Sequence, residues 1–307
     1  MIVNELLLPW VLAWLVGGVG AYLVAVFDRY LAGMAQAENV WLAPLANAAW
    51  LITQQTTTTE APDARAWQLA PALYLALAAT GLTLVPWSPT FVGVELTTSL
   101  VLWGSLEALA TVVIFLHGWS SNSHLALIGA YRYVALGLSY LLISMFVLIG
   151  IALPAESLSL AEVVTAQAPL WHVISQPLGL PLFLVVGLGL TFWGPLNLAD
   201  SADIATGTAV ERSGPPRMVW ALARAAMLVA FSAIAATAFL GGWMGPWLPG
   251  PVWLMLKSLA VLIALLWLGR RLPRLAPERC VTLMWAVLLP LAFVDLIWAG
   301  AVALWMA

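Results

Sequence analysis

Long apolar stretches follow one another along almost the whole sequence, each bounded by charged residues, turn residues or prolines. A transmembrane helix needs about 20 predominantly apolar residues. Stretches near that length cover approximately residues 7–27, 69–87, 96–116, 125–151, 177–193, 218–242, 252–269 and 281–305. This succession predicts an all-α polytopic membrane protein with about eight transmembrane helices, in a single integral membrane domain that comprises residues 1–307.

The scarcity of charge and of metal-binding side chains limits the chemistry of the chain. Only 8% of its residues are charged and the net charge is −3, whereas about 25% of residues are charged in soluble domains. Nucleic acid is therefore not an expected partner. One cysteine and three histidines form no iron–sulfur or zinc pattern. We expect no cofactor bound by this chain and a redox centre, if any, in another one.

Basic residues between the predicted helices occur in alternate connections. They are Arg29 and Arg65 in the first, Arg212 and Arg217 in the fifth, and Arg270, Arg271, Arg274 and Arg279 in the seventh. Short loops rich in Lys and Arg remain in the cytoplasm. We therefore expect cytoplasmic loops at about 28–68, 117–124, 194–217 and 270–280, with both termini in the periplasm.

The apolar segment at residues 40–53 is too short to cross a bilayer and lies between two basic residues of the first connection. A short apolar helix with cytoplasmic flanks fits a position in the membrane interface. The sequence therefore predicts an interfacial helix here, followed by a polar loop from Thr53 to Glu60.

Two acidic residues lie near the centres of predicted membrane helices, Glu107 in the third and Asp295 in the eighth. An ionisable side chain at mid-bilayer costs about 2.5–3.5 kcal/mol on insertion scales and is a functional candidate by default. About 15 Å separates each from the surface, too far for a short acid to reach. Each belongs either to a proton-carrying track or to a protonated, hydrogen-bonded packing contact.

Three basic residues also fall inside predicted helices, one to two turns from the nearer end: Arg132, Arg224 and Lys257. Long basic side chains at such positions can extend to the interface. The alternative is that they face the interior of the bundle and pair with Glu107, Asp295 or an acid of a neighbouring subunit.

The remaining reactive side chains carry weaker signals. His117 and His124 lie at the edge of the predicted bundle, which disfavours a haem site between them. His172 is expected in a periplasmic loop, in contact with solvent or capping a helix. Cys280, at a predicted helix start, is expected to be an inert thiol.

Three groups of residues form specific motifs. They are His117–Asn122, Leu127–Arg132 and Leu138–Tyr140; then Glu211–Gly214, Phe239–Trp243, Pro246, Trp253 and Lys257; then Leu272–Arg274, Trp285 and Leu288–Leu291. In this order and spacing they resemble the H subunit of bacterial NADH–quinone oxidoreductase, the respiratory complex I component that also has relatives in energy-converting hydrogenases. The resemblance extends from about Asp28 to Trp305.

The resemblance implies a subunit of the bacterial inner membrane at the junction between a hydrophilic redox arm and a membrane arm. Its implied partners are hydrophilic redox-arm subunits with iron–sulfur centres, antiporter-like and small membrane-arm subunits, and the lipid bilayer. Quinone is the implied substrate, and electrons come from an iron–sulfur centre in a partner.

The resemblance also implies a quinone pocket between the first helix, the interfacial helix and the fifth connection. The candidate residues are Arg29, Asn47, Asn197, Asp200, Asp203 and Glu211. A solvated or subunit-docking surface is the alternative role for these loop residues.

Several positions that carry charge in the family are neutral here, namely Asn47, Gln54, Gln55, Asn197 and Leu141, while Arg224 aligns with an acid. Asn and Gln keep hydrogen bonding but lose charge and titration. One interpretation, which we favour, keeps the architecture and the docking role with a modified or lost proton route. The other reroutes the path through Glu107, with Arg224 tuning its pKa.

Two other classes of function remain open. The neutral positions also fit a membrane anchor or scaffold subunit, in an energy-converting hydrogenase-like or other redox-derived complex without quinone chemistry. A stand-alone secondary transporter is disfavoured because the sequence has neither an obvious internal repeat nor a pair of interrupted helices.

Overall fold

The computed structural model describes residues 2–33, 39–197, 200 and 207–306. Its helices in chain order are α1 (Ile2–Leu31), α2 (Ala43–Thr53), α3 (Ala64–Thr83), α4 (Ser99–Trp119), α5 (His124–Ala152), α6 (Leu160–Ala166), α7 (His172–Ser175), α8 (Gly179–Leu190), α9 (Gly214–Phe239), α10 (Gly250–Arg271), α11 (Pro277–Leu283) and α12 (Leu289–Met306). A short antiparallel hairpin, β1 (Pro86–Ser88) and β2 (Phe91–Val92), follows α3. A π-helical segment (Met284–Leu288) joins α11 to α12.

Six helical segments of the described chain are long and apolar enough to cross a membrane. They are Leu8–Leu31, Ser99–Trp119, His124–Ala152, Gly214–Phe239, Gly250–Arg271 and Pro277–Trp305. The two other predicted membrane helices correspond to α3, with 20 residues, and to the shorter apolar α8. The prediction of an all-α polytopic membrane protein is confirmed.

Helix α8 is shorter than the predicted stretch at 177–193. Its 12 residues extend over about 18 Å, against about 30 Å for a hydrocarbon core. It ends because the chain turns sharply: Phe192 has φ 61° and Gly194 has φ 68°. A Cβ atom on Gly194 would lie 2.5 Å from Cα of Gly269 in α10, so this close approach requires glycine.

Helix α9 lies at the centre of the bundle and packs against α1, α3 and α10. In the apolar stretch of α9 that could cross a membrane, 72% of the residues are buried. The corresponding share for Pro277–Trp305 is 22%. Alanines dominate its buried positions, and small side chains let membrane helices approach closely. On α1, a Cβ atom at Gly20 would lie 2.6 Å from Cγ2 of Val229. The centre of the molecule is therefore held by close helix packing.

The short helix predicted at 40–53 is present as α2. Most of its side chains are exposed, and Leu51 is its buried residue. The hydroxyl of Tyr22 in α1 donates to the carbonyl of Trp41 at 2.6 Å, which fixes the approach to α2. Its location in the membrane interface stays a prediction.

Segments predicted to be cytoplasmic meet at one end of the bundle. Ser123 donates to Glu211 at 2.7 Å, and Thr59 donates to the carbonyl of Ser121 at 2.6 Å. An ion pair of 2.6 Å joins Asp28 to Arg270. The first, third, fifth and seventh connections thus share one end, as the alternation of basic residues requires.

The orientation can be tested by reporter fusions. Alkaline phosphatase fused after Trp247, which is 92% exposed in the α9–α10 connection, should be active because this connection is predicted to be periplasmic. Fusion after Arg274 should be inactive, because that loop carries the basic residues that are retained in the cytoplasm. The opposite pattern of activities would overturn the predicted orientation.

Candidate functional site

A buried ion pair joins the connection between α8 and α9 to α9 itself. Nη1 of Arg224 lies 2.6 Å from Oδ2 of Asp200, whose side chain is 4% exposed. The indole N–H of Trp220 donates to the same oxygen at 3.3 Å. Nη2 of Arg224 donates to the carbonyl of Phe192 at 2.9 Å. Because α9 places Trp220 and Arg224 four residues apart, both reach Asp200 from one helix face.

The environment of Asp200 acts on its protonation in two directions. Burial raises the pKa of this carboxyl above its ordinary value. The guanidinium of Arg224 and the indole of Trp220 lower the pKa and offset part of that rise. Both partners therefore favour the charged form of Asp200, and removal of Arg224 would leave a buried carboxyl group without its cation.

A cavity of 360 Å³ lies beside this ion pair. The residues around it come from α2, the connection before α9 and α9: Asn47, Leu51, Asp200, Ala209, Val210, Arg217, Trp220, Ala221 and Arg224. Small-molecule sites have volumes of about 300–1,000 Å³ with a few placed polar groups. Two guanidinium groups, an amide and an indole surface make this cavity suited to a flat ligand with hydrogen-bond acceptors.

Aromatic rings form the inner wall of the site. The imidazole of His117 stacks on Trp220 with 3.6 Å between centroids and 9° between planes. Tyr74 lies 5.2 Å from the same indole, and Phe192 lies 6.0 Å from it. The interpretation of His117 as an edge residue is wrong, since the side chain is fully buried. Trp220 was not among the predicted site residues. Its position four residues before Arg224 places both on one face of α9, which the sequence could have indicated.

Arg212 connects several segments at the same end of the bundle. It is buried, donates to the carbonyl of Trp67 at 2.7 Å and to the hydroxyl of Ser120 at 3.1 Å. Its guanidinium lies 4.2 Å from the centroid of the Trp67 ring. Burial lowers the pKa of Arg212 to about 10, so it stays charged at neutral pH. This motif residue therefore ties α3 and α4 to the segment before α9.

The predicted pocket residues do not all meet at the cavity. Asn47 and Asp200 line it. Glu211 instead accepts from Ser123, and Arg29 and Asn197 are partly buried away from the lining. Asp203 lies outside the described residues. No group of three His, Cys, Asp or Glu side chains in the described part of the chain could hold a metal ion.

The intramembrane acids have neutral side-chain partners. Glu107 is 5% exposed and its Oε1 accepts from the indole of Trp103 at 2.7 Å. Asp295 is 1% exposed and accepts from the amide of Gln176 at 2.6 Å. Arg224 pairs with Asp200 and with neither of these acids, so the alternative of a pair between Arg224 and Glu107 or Asp295 is wrong.

Lys257 is buried, and its ammonium extends to the connection between α9 and α10. Its ammonium donates to the carbonyls of Gly242 and Met244, at 3.1 and 2.6 Å, and lies 4.3 Å from the centroid of the Trp171 ring. These carbonyls follow the C-terminal end of α9, where a cation is favourable. Lys257 therefore closes the end of α9, while Arg132 is partly buried in α5.

The similarity of the chain to known proteins identifies its family. The model of the family described as NADH dehydrogenase matches residues 10–300. The chain belongs to this family. The resemblance seen in the motifs is thereby confirmed over nearly the whole sequence.

Relatives within this family carry the name of the H subunit of NADH-quinone oxidoreductase. One from Rhodopseudomonas palustris is 34% identical over 257 residues, covering 82% of this chain and 79% of that protein. One from Geobacillus kaustophilus is 30% identical over 270 residues, covering 86% of this chain and 81% of that protein. One from Cereibacter sphaeroides is 33% identical over 249 residues, covering 80% of this chain and 78% of that protein.

The ion pair can be tested by breaking it from one side. Arg224→Leu leaves Asp200 buried without its cation and should destabilise the protein by about 2–3 kcal/mol, less than a fully buried pair would cost. Adding Asp200→Asn should recover most of that loss, because an amide needs no cation. The apparent melting temperature of the purified protein measures both effects.

Arg217→Leu is the matched control, because Arg217 is exposed on the same helix and should shift the melting temperature little. Equal shifts for Arg217→Leu and Arg224→Leu, or no recovery in the double variant, would contradict the role of the pair.

Proposed function

We propose that this chain is a membrane-arm subunit of a complex I-like oxidoreductase, which docks the hydrophilic redox arm and helps to form a quinone pocket. The family match and the relatives named as H subunits of NADH-quinone oxidoreductase support the assignment to the membrane arm. The observation that carries the pocket is the 360 Å³ cavity beside Asp200 and Arg224, covered by α2.

The chemistry of the lining fits a quinone ring. A quinone presents two carbonyl oxygens that accept hydrogen bonds, and the guanidinium of Arg217 and the amide of Asn47 are donors at the cavity. Arg224 keeps its charge compensated by Asp200. The indole of Trp220 offers a flat apolar wall. The cavity is near the lower limit for a ligand site, so it suits the ring and leaves the apolar tail towards the bilayer.

Electron transfer in this proposal comes from a partner. The chain orients the quinone ring and keeps it beside fixed charges, and an iron–sulfur centre of the redox arm supplies the electrons. The exposed polar loop from Thr53 to Glu60 lies at the same end of the molecule and is held there by bonds to Ser121 and Ser213. This surface is the proposed docking site for the redox arm.

The proton route is proposed to be altered from that of the family. Within the described residues, no hydrogen bond or ion pair joins Glu107 to the Asp200–Arg224 pair. The family acid in α5 is replaced by Leu141. A rerouted path is the second candidate. It is favoured by Ser144 in α5, whose side chain interacts with that of Glu107, and by Oη of Tyr140, which is buried and lacks a hydrogen-bond partner in the described residues.

Filling the cavity tests the quinone pocket. Ala221 is exposed and lines the cavity, so Ala221→Phe should occupy it without disturbing the core. Donor-driven quinone reduction by the purified complex should fall by about tenfold or more, while reduction of a water-soluble acceptor by the redox arm stays unchanged. Leu222→Phe, on the adjacent exposed residue outside the lining, is the control and should leave both rates unchanged.

A scaffold without quinone chemistry predicts different results. If the wild-type complex retains its redox arm but transfers no electrons to quinone, the proposed quinone pocket is contradicted. The function that then remains is that of a scaffold. In that case Asn47→Asp and Asn197→Asp should change little, whereas deletion of residues 54–60 should release the redox arm.

The two proton-route interpretations are separated by Glu107→Gln. If the route through the membrane helices is lost or lies elsewhere, as proposed, this variant should keep both the quinone reduction rate and the number of protons moved per electron in proteoliposomes. A loss of proton movement with electron transfer retained would instead establish Glu107 as the rerouted carrier.

A further inference from the structure

A small cavity lies at the end of the bundle opposite the proposed quinone pocket. It measures about 20 Å³ and lies between α5, α7 and α12, with His172, Ser175 and Gln176 as its polar lining and Gly150 and Ala299 among its apolar lining. A single water molecule needs at least about 10–15 Å³ measured in this way and two to four polar partners. The cavity therefore has room for one water and for nothing much larger.

The first polar group is the imidazole of His172. Of the two roles expected for His172, contact with solvent is wrong, because the residue is 2% exposed, whereas capping of a helix fits its contact with the last turn of α9. Its Nδ1 lies 2.8 Å from the carbonyl oxygen of Ala238. Since a carbonyl only accepts, Nδ1 carries the hydrogen. Burial lowers the pKa of His172, which favours the neutral ring and makes Nε2 an acceptor.

The second polar group is the amide of Gln176, which is 1% exposed. Its Nε2 donates to Oδ2 of Asp295 at 2.6 Å and to the carbonyl of Val147 at 3.3 Å. Both amide hydrogens are thus used, and the reverse orientation would face the amide oxygen towards two acceptors. Oε1 of Gln176 is therefore an acceptor on the remaining side.

Neither of these acceptors has a partner in the described residues. Nε2 of His172 and Oε1 of Gln176 are both buried and unpaired, although such groups are paired in nearly all native proteins. Two acceptors that line one cavity cannot bond each other. They need a molecule with two donor hydrogens, and a water molecule has two.

We propose that this cavity is a binding site for one water molecule, which donates one hydrogen to Nε2 of His172 and the other to Oε1 of Gln176. The water completes a chain of hydrogen bonds from the end of α9 through α7 to α12. The hydroxyl of Ser175 lies in the same lining and is available as a third partner for the water.

The geometry around Gln176 shows that its position is tightly determined. A Cβ atom on Gly150 would lie 2.4 Å from Nε2 of Gln176, and one on Gly179 would lie 2.9 Å from its Cδ. Glycine at both positions leaves room for the side chain of Gln176, and the backbone on both sides restricts its rotation. The amide is thus held between Asp295 and the cavity.

The water site gives Asp295 a structural role. Pro277–Trp305, which includes most of α12, is the least buried of the six candidate membrane segments in the described chain. Only 22% of its apolar stretch is buried, so α12 has few interior contacts. The carboxyl group of Asp295 accepts a hydrogen bond from Gln176 and lies beside the backbone N–H groups of Leu178 and Gly179 at the start of α8. These contacts connect α12 to the rest of the bundle. An amide does not titrate, so the chain of bonds anchors α12 and does not carry protons through Gln176.

A density map tests the water directly and does not depend on the proposed function. The chain is purified from its membrane with the partners that remain bound, and imaged at a resolution at which ordered waters are visible. We expect one peak at hydrogen-bond distance, about 2.6–3.2 Å, from both Nε2 of His172 and Oε1 of Gln176. A clear map without that peak, or with the two atoms in direct contact, would overturn the proposal.

A matched pair of variants provides the second measurement. Ala299→Val adds two methyl groups to a buried residue of the cavity lining, and Ala301→Val adds them to an exposed residue of the same helix. Ala299→Val should remove the water peak and lower the melting temperature, because both acceptors then lose their partner. Ala301→Val should keep both. Retention of the peak in Ala299→Val, or an equal loss of stability in both variants, would contradict the site.

Discussion

The lack of water inside the bilayer is the constraint that organises this molecule. A polar group in hydrocarbon must find its partner within the protein, and the buried charges here follow that requirement. Arg224 is paired with Asp200, Lys257 is bound by two carbonyls, and Asp295 accepts from Gln176. Each contact connects a membrane helix to a loop or short helix, so the polar contacts determine how the ends of the bundle close.

The two ends of α9 show how this closure relates to function. At the end predicted to be cytoplasmic, Trp220 and Arg224 hold Asp200 and leave a polar cavity beneath α2. At the other end, Lys257 binds two carbonyls that follow α9, and His172 contacts the carbonyl of Ala238 in the last turn of this helix. The site proposed for quinone therefore lies at one end of the bundle, while the opposite end is held by the contacts of Lys257, His172 and Gln176.

The sequence was sufficient for the membrane class, the helix order and the family, because hydrophobic length and motif spacing are local properties. It was insufficient for the partners of the buried charges. A pair with an intramembrane acid was one of the alternatives for Arg224, but the sharp turn at Phe192 and Gly194 ends α8 early and the following connection brings in Asp200 instead. His117 was expected at the edge of the bundle and His172 in a loop, and long-range packing against Trp220 and Ala238 buries both.

The cavity between α2 and α9 is the proposed binding site of the quinone ring. Photoaffinity labelling of the purified complex with an azido-quinone, followed by peptide mapping, tests it most directly. We expect label within residues 43–53 of α2 and 207–224 around the start of α9, displaced by excess unmodified quinone. Label confined to partner subunits, or to the apolar groove between α4 and α5 that contains Met145, would contradict it.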